Sequence, residues 1–154
     1  MVHLPLWKKE GKVATLLMEA SISPVVHDAG QKLAESTGSL ADALNQNLNR
    51  LLVWPFRATK GFARDVEGQK TEIFGTLIYT VSQSQPTPEP SNFNADNVAC
   101  VIDVDECLNV EKLSAAYERI ACAKRLKKTL SPKVPCVPST TVTLGIIFGR
   151  DAAV

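Results

Sequence analysis

The sequence predicts a single α/β domain built on a mixed sheet, and three observations carry that expectation. Residues 97–104 (NVACVIDV) and 141–149 (TVTLGIIFG) are almost continuously apolar, the pattern of strands buried on both faces. Between them, Leu113, Ala116, Tyr117, Ile120, Ala121 and Leu130 mark a helix across residues 110–129. Upstream, a strand–turn–strand pattern adds a hairpin. Strand, helix and strand then form a right-handed parallel crossover, with the antiparallel hairpin extending the sheet.

The elements follow in chain order. Val13, Leu16, Leu17 and Ala20 form a short helical stripe that breaks before Pro24, and Val25, Val26, Ala29, Leu33 and Ala34 continue at similar spacing up to Gly38. Ser39 is placed as an N-cap with Asp42 three residues on, an acidic variant of the capping box. Leu40, Leu44, Leu48, Leu51 and Leu52 follow on one helical face, and Pro55 ends that helix. Residues 56–65 read as a strand. The turn at residues 66–69 (VEGQ) uses glycine to reach positive φ, and residues 71–81 (TEIFGTLIYTV), rich in β-branched and aromatic side chains, return. Residues 82–96 hold three prolines and two asparagines and read as a long loop, as do residues 131–140 with three further prolines. Residues 1–38 are therefore expected as a helical segment packed on a core formed by residues 39–154, one domain overall.

Composition excludes several classes. At 154 residues, 45% hydrophobic and 21% charged, the chain is neither fibrous nor disordered and has material for one core. Lys and Arg number 17 against 16 Asp and Glu, so no bulk cationic field exists and nucleic-acid binding needs a local patch. The cysteines (Cys100, Cys107, Cys122, Cys136) form no Cys-x-x-Cys pair and lie far from His3 and His27, which argues against structural zinc. With no signal peptide read at the N-terminus and no apolar run long enough to span a bilayer, the expectation is a cytoplasmic protein with reduced thiols and no membrane. Phosphate-loop, dinucleotide, nucleophile-elbow and zincin motifs are absent, and Cys107 follows two acidic residues that work against thiolate formation.

Several short segments resemble a bacterial family of uncharacterised nuclease-like domains within the PD-(D/E)XK restriction-endonuclease-like superfamily. They are Gly61-Phe62, Glu67-Gly68, Ile78-Tyr79, Val101-Ile102-Asp103-Val104, the helix with Leu113, Ala116, Ile120 and Lys124-Arg125-Leu126, and Gly145-Ile146-Ile147-Phe148-Gly149. The resemblance spans residues 39–149. It implies an αβββαβ core with a mixed central sheet, preceded here by extra N-terminal helices. In the family, an Asp on the return strand and a Glu-x-Lys on the central strand gather at Mg²⁺, which polarises the phosphate and acidifies the attacking water.

Laid onto this chain, the family Asp falls on Gly75, the Glu on Asp103, the Lys on Asp105, and a helical acid near Asp42. The resemblance therefore implies a degenerate motif and two readings. Either the domain no longer cleaves and acts by binding nucleic acid or a protein, with no cofactor, or the site has migrated. A migrated site makes the chain a divergent DNA endonuclease with catalytic Asp103 and Asp105 and an Mg²⁺ or Mn²⁺ held by Asp42, Asp103 and Asp105, with Glu106 or Glu72 as further acids. Glu72, three residues before Gly75, is expected on the opposite side of the strand. A plainer role competes for these acids, since Asp105 or Asn109 can cap the following helix and Glu106 and Glu111 suit its N-terminus. Lys124, Arg125, Lys127 and Lys128 are the expected DNA-phosphate contacts, although cations also favour the last turn of a helix without any ligand. A third reading is an interaction module docking through the loop at residues 82–96 and the helical N-terminus. If more chain normally packs beyond Val154, the last strand exposes an apolar face, which is the reason to expect self-association through the C-terminal edge.

Overall fold

The structure, a computed structural model, describes residues 22–30, 33, 39–81, 92–129 and 143–152. The elements are helix α1 (22–30), helix α2 (Leu40–Leu51), strands β1 (Phe56–Arg64), β2 (Phe74–Thr80) and β3 (Asn92–Asn94), a 3-10 turn (Ala95–Asn97), strand β4 (Val98–Leu108), helix α3 (Val110–Arg125) and strand β5 (Leu144–Ala152). The strands form one mixed sheet in the order β3-β1-β2-β4-β5. β1 and β2 pair antiparallel, as do β2 and β4, while β5 runs parallel to β4 across the α3 crossover.

Alternation along β4 divides the core in two. Cys100 and Ile102 join Ala58 and Ile78 against Leu40, Leu44 and Leu48 of α2, with Val104 packed at the margin. Val101 joins Leu77 and Tyr79 on the other face, against Ile120, Ala123 and Leu126 at the α3 end. Ile22, Val26, Ala29 and Leu33 belong to the α2-side cluster, so the described part of residues 1–38 packs on the core. Pro24 lies within α1 and does not break it, whereas the stripe Val13–Ala20 lies outside the described residues. α3 approaches β5 closely: a Cβ on Gly145 would overlap Cγ2 of Ile120, an approach that only glycine permits.

The β1–β2 hairpin carries a bulge. Thr59 pairs with Leu77 and Gly61 with Phe74, so a step of two residues on β1 matches a step of three on β2. Phe74 and Leu77 consequently share one core face although three residues apart. The turn forms as expected, with Gly68 at φ 84°. Its organiser is Asp65, buried at 6% exposure. One carboxylate oxygen accepts from the backbone N–H groups of Glu67 and Gln69 at 3.0 and 2.9 Å, and the other from Lys127 N–H at 3.1 Å, tying the hairpin to the chain leaving α3.

Several expectations are corrected. The expected loop at residues 82–96 contains β3, whose three residues are too few to show a period. It is held by Phe93, whose ring centroid lies 4.5 Å from that of Tyr79. β4 continues to Leu108 and not 104 because β5 pairs with its polar end, Cys107 opposite Asp151 and Leu108 opposite Ala152. β2 starts at Phe74 because Thr71 turns to Ala63, bonding it through both backbone and hydroxyl. Ser39 occupies the N-cap position without a side-chain cap, so no capping box forms with Asp42. α3 stops at Arg125 and not 129, and Leu113 and Tyr117, which mark the helix in the sequence, are 48% and 67% exposed beside Val110 at 81%. The helix buries Ala116, Ile120 and Ala123, leaving Val110, Leu113 and Tyr117 as a second apolar stripe.

Asp65 supplies a first prediction. Burial alone raises its pKa, but the hydrogen bonds from Lys127, Gln69 and Glu67 outweigh that and hold the carboxyl below its ordinary value of 3.8. A depressed folded pKa stabilises the fold above the unfolded value and loses that contribution as pH falls through the folded one. Asp65→Ala should therefore lower the melting temperature at pH 7, and the gap from wild type should close below about pH 4. A gap that stays constant down to about pH 2.5 would contradict this role.

Candidate functional site

At the polar end of β4, the strand period turns Asp103 and Asp105 to the α3 side, below Val101. α3 answers with two cations seven residues apart, Lys112 and Arg119, on the helical face that also carries buried Ala116. Asn109 caps the helix, its side chain accepting from Lys112 N–H at 2.8 Å, which fixes where these cations stand. Arg119 Nε donates to Asp103 Oδ2 at 2.6 Å, and Lys112 Nζ donates to Asp105 Oδ1 at 2.8 Å and to the Cys107 carbonyl at 3.1 Å. The Asp103 side chain is 12% exposed and that of Asp105 27%, so the inner pair is the better shielded. Asp105 also accepts from Cys107 N–H at 3.0 Å, and it does not cap α3, a role that Asn109 fills.

The electrostatics agree with this pairing. The hydrogen bond from Lys112 is the main cause that holds the Asp105 carboxyl below its ordinary range. The bond to Asp103 holds the Arg119 guanidinium charged more firmly than usual, with burial opposing and the fields of Glu72 and Asp105 adding to it. Glu72 is therefore within the field of this cluster. Its field reaches Arg119 on the α3 side while Gly75 turns to α2, so the two lie on opposite sides as expected. Regular alternation fails instead at Gly75, which the bulge turns away from the face of Leu77.

The remaining expected ligands are not brought here. Gly75 directs its Cβ position to α2, 3.0 Å from Ala41 Cβ and 3.8 Å from Val104 Cβ, and its carbonyl accepts from Asn45 Nδ2 at 3.0 Å. Asp42 is exposed on α2, which packs on the face of the sheet opposite α3. The buried oxygens without a hydrogen-bond partner near Gly75, Asn45 Oδ1 and Thr76 Oγ1, are neutral. Among the described residues no three His, Cys, Asp or Glu side chains are close enough to hold a metal ion. The Mg²⁺ or Mn²⁺ that the resemblance implies meets a poor donor set here: Asp103 and Asp105 each have an oxygen engaged by a cation, and Gly75, on which the resemblance places the third acid, has no side chain.

The basic cluster divides. Lys127 pairs with Glu67 of the hairpin turn at 2.5 Å. Lys128 Nζ donates to the Val98 carbonyl at 2.8 Å, and burial pulls its pKa down to about 8 against the opposing attraction of Asp96. Lys124 and Arg125 remain exposed in the last turn of α3, and Arg64 lies beside Gly68 of the same hairpin turn. A separate, mostly apolar cleft of roughly 530 Å³ opens between α1 and β5, with His27 and Arg150 among its lining residues, and holds none of the expected site residues. Cys100 is buried and Cys107 and Cys122 are exposed, all free thiols. No helix among the described residues is long and apolar enough to cross a membrane.

Sheet order, crossover and flanking helices define a restriction-endonuclease-like α/β fold. Three solved structures share it. NucC of E. coli MS115-1 in its apo form aligns with a TM-score of 0.65 at 16% identity, over 86% of this chain and 61% of that one. NucC of P. aeruginosa ATCC27853 in a cAAA-bound form aligns at 0.65 and 15% identity, over 99% and 66%. The cAAA-bound form from E. coli MS115-1 aligns at 0.59 and 15% identity, over 100% and 66%. The chain thus spans about two thirds or less of the length of the NucC chains it matches. No protein-family model matches it, and no curated protein matches it by sequence.

This geometry makes two outcomes measurable. Gly75→Asp, which returns the acid the family pattern asks for, should lower the melting temperature and create no Mg²⁺-dependent nicking, because the new side chain enters the space between Ala41 and Val104. Mg²⁺-dependent plasmid nicking by this variant would show that position 75 reaches the strand carboxylates. For Lys128, the folded pKa near 8 lies below the ordinary 10.5, so the unfolded chain binds the extra proton between those values and the cost of burying the charge fades as pH rises. Melting curves from about pH 7.5 to about pH 10.5 should move in favour of wild type relative to Lys128→Met. A parallel pair of curves would contradict the burial of that ammonium.

Proposed function

We propose that this chain is a nuclease-fold domain that does not cleave and acts by binding, with nucleic acid as the first partner to test. The observation that carries this reading is the engagement of Asp103 and Asp105 by Arg119 and Lys112. A carboxylate with one oxygen engaged by a guanidinium or ammonium is a poor ligand for a divalent ion, which the neighbouring cation repels, and Asp105 stands where the family pattern has a lysine. Loss of two of the three motif positions compounds in rate. Lys124 and Arg125, at the exposed end of α3, supply the phosphate contacts. The likeness to NucC chains solved with cAAA makes a short oligonucleotide a natural ligand to include. The reading places the domain in a bacterial cytoplasm.

Supercoiled plasmid incubated with Mg²⁺ and then Mn²⁺ tests it. Wild type and Asp103→Asn/Asp105→Asn should be equally silent, whereas nicking lost in the double variant means that the divergent endonuclease is the correct reading. Binding is read by retention on DNA. Retention should fall with salt, and Lys124→Glu/Arg125→Glu should make the log–log slope shallower by roughly 1–2, at about 0.9 for each phosphate no longer neutralised. A salt-independent slope, or one unmoved by the variant, removes the DNA arm.

A protein partner is the second reading, and the exposed stripe of Val110, Leu113 and Tyr117 favours it. It predicts that Leu113→Glu/Tyr117→Glu leaves DNA retention unchanged and abolishes any concentration-dependent association seen by sedimentation.

A further inference from the structure

We infer that Arg119, seconded by Lys112, is the resident cation of this site: α3 itself supplies the positive charge for which the fold type would otherwise use a divalent metal. The inference rests on the non-cleaving reading and gives it a physical cause. Charge arithmetic is the first support, because Arg119 and Lys112 bring two positive charges to the carboxylates of Asp103 and Asp105, the charge of one divalent ion. Placement is the second. The Arg119 Nε sits 2.6 Å from the more shielded carboxylate, and the fields of Asp105 and Glu72 further favour the charged guanidinium. Architecture is the third. The cations belong to the helix of the crossover, so the pairs also clamp α3 onto the end of β4, a joint that apolar packing of Ala116 and Ile120 continues toward the far end. Arg119 is a positioning residue here: it orders Asp103 and the helix and touches no substrate.

The test uses the intact chain without nucleic acid, with Mn²⁺ as the probe. Electron paramagnetic resonance of wild type titrated with Mn²⁺ should show no saturable site below about 1 mM, and the melting temperature should be the same in Mg²⁺, Mn²⁺ and EDTA. Arg119→Met should lower the melting temperature by about 5–10 °C, because it strands a shielded carboxylate. Arg119→Lys should recover part of that loss by restoring the charge, and Asp103→Asn in the Arg119→Met background should recover part of it by removing the stranded partner. If Arg119→Met does not accumulate as folded protein, Arg119→Lys and the double variant carry the comparison against wild type. Saturable Mn²⁺ binding by wild type that disappears in Asp103→Asn overturns the inference, as does an Arg119→Met variant that melts like wild type. Plasmid nicking by a wild type that binds no Mn²⁺ instead overturns the non-cleaving reading and leaves the resident cation standing.

Discussion

A carboxylate on the inner face of a strand must be solvated, bound to a metal or paired, since an unmatched charge there costs more than the local packing returns. Asp103, 12% exposed beneath α3, meets that requirement through Arg119. Much of the α3 side follows from this constraint. The helix must begin close enough to β4 for Lys112 and Arg119 to reach across, and Asn109 sets that start. Gly145 lets the helix descend onto β5, and Asp65 then fastens the chain leaving α3 to the β1–β2 hairpin. The pair at one end and the Asp65 anchor at the other hold one helix between them, with Ile120, Ala123 and Leu126 as its apolar floor.

The same constraint separates fold from chemistry. A restriction-endonuclease-like sheet presents the polar end of its central strand at one place whatever residues stand there. Here that end carries two acids with matched cations, and the bulge in the hairpin turns Gly75 to the α2 face, away from both. The likeness to NucC therefore concerns the scaffold, and the electrostatics at the strand end argue about the reaction separately.

The strands and helices were legible where periodicity is strong. The apolar runs around Val101 and Ile146, the leucine face of α2 and the glycine of the hairpin turn each found their element. Asp103 and Asp105 were legible as acids on one face, because a strand repeats every two residues. Their partners were not, because Arg119 lies 16 residues away and reaches Asp103 only through the depth of the crossover. The one available signal was Lys112, Ala116 and Arg119 sharing a helical face just after an Asp-x-Asp strand. The turning of Gly75 to the α2 face was not legible, because a bulge is invisible to a period-two count. Leu113 and Tyr117 mark the helix in the sequence but lie outside its buried face, because two apolar stripes on one helix read as a single broad one and only the position of the sheet selects between them.

Whether cations or a metal occupy the end of β4 is read by paramagnetic broadening by Mn²⁺ in a ¹H–¹⁵N spectrum that resolves the Arg119 Nε–H and the backbone amides of residues 103–107. The Arg119 signal and these amides should persist through the titration and broaden no more than exposed amides elsewhere. Selective loss of the amides around Asp103 and Asp105 at low Mn²⁺, with displacement of the Arg119 signal, would contradict it and mark the strand end as a metal centre.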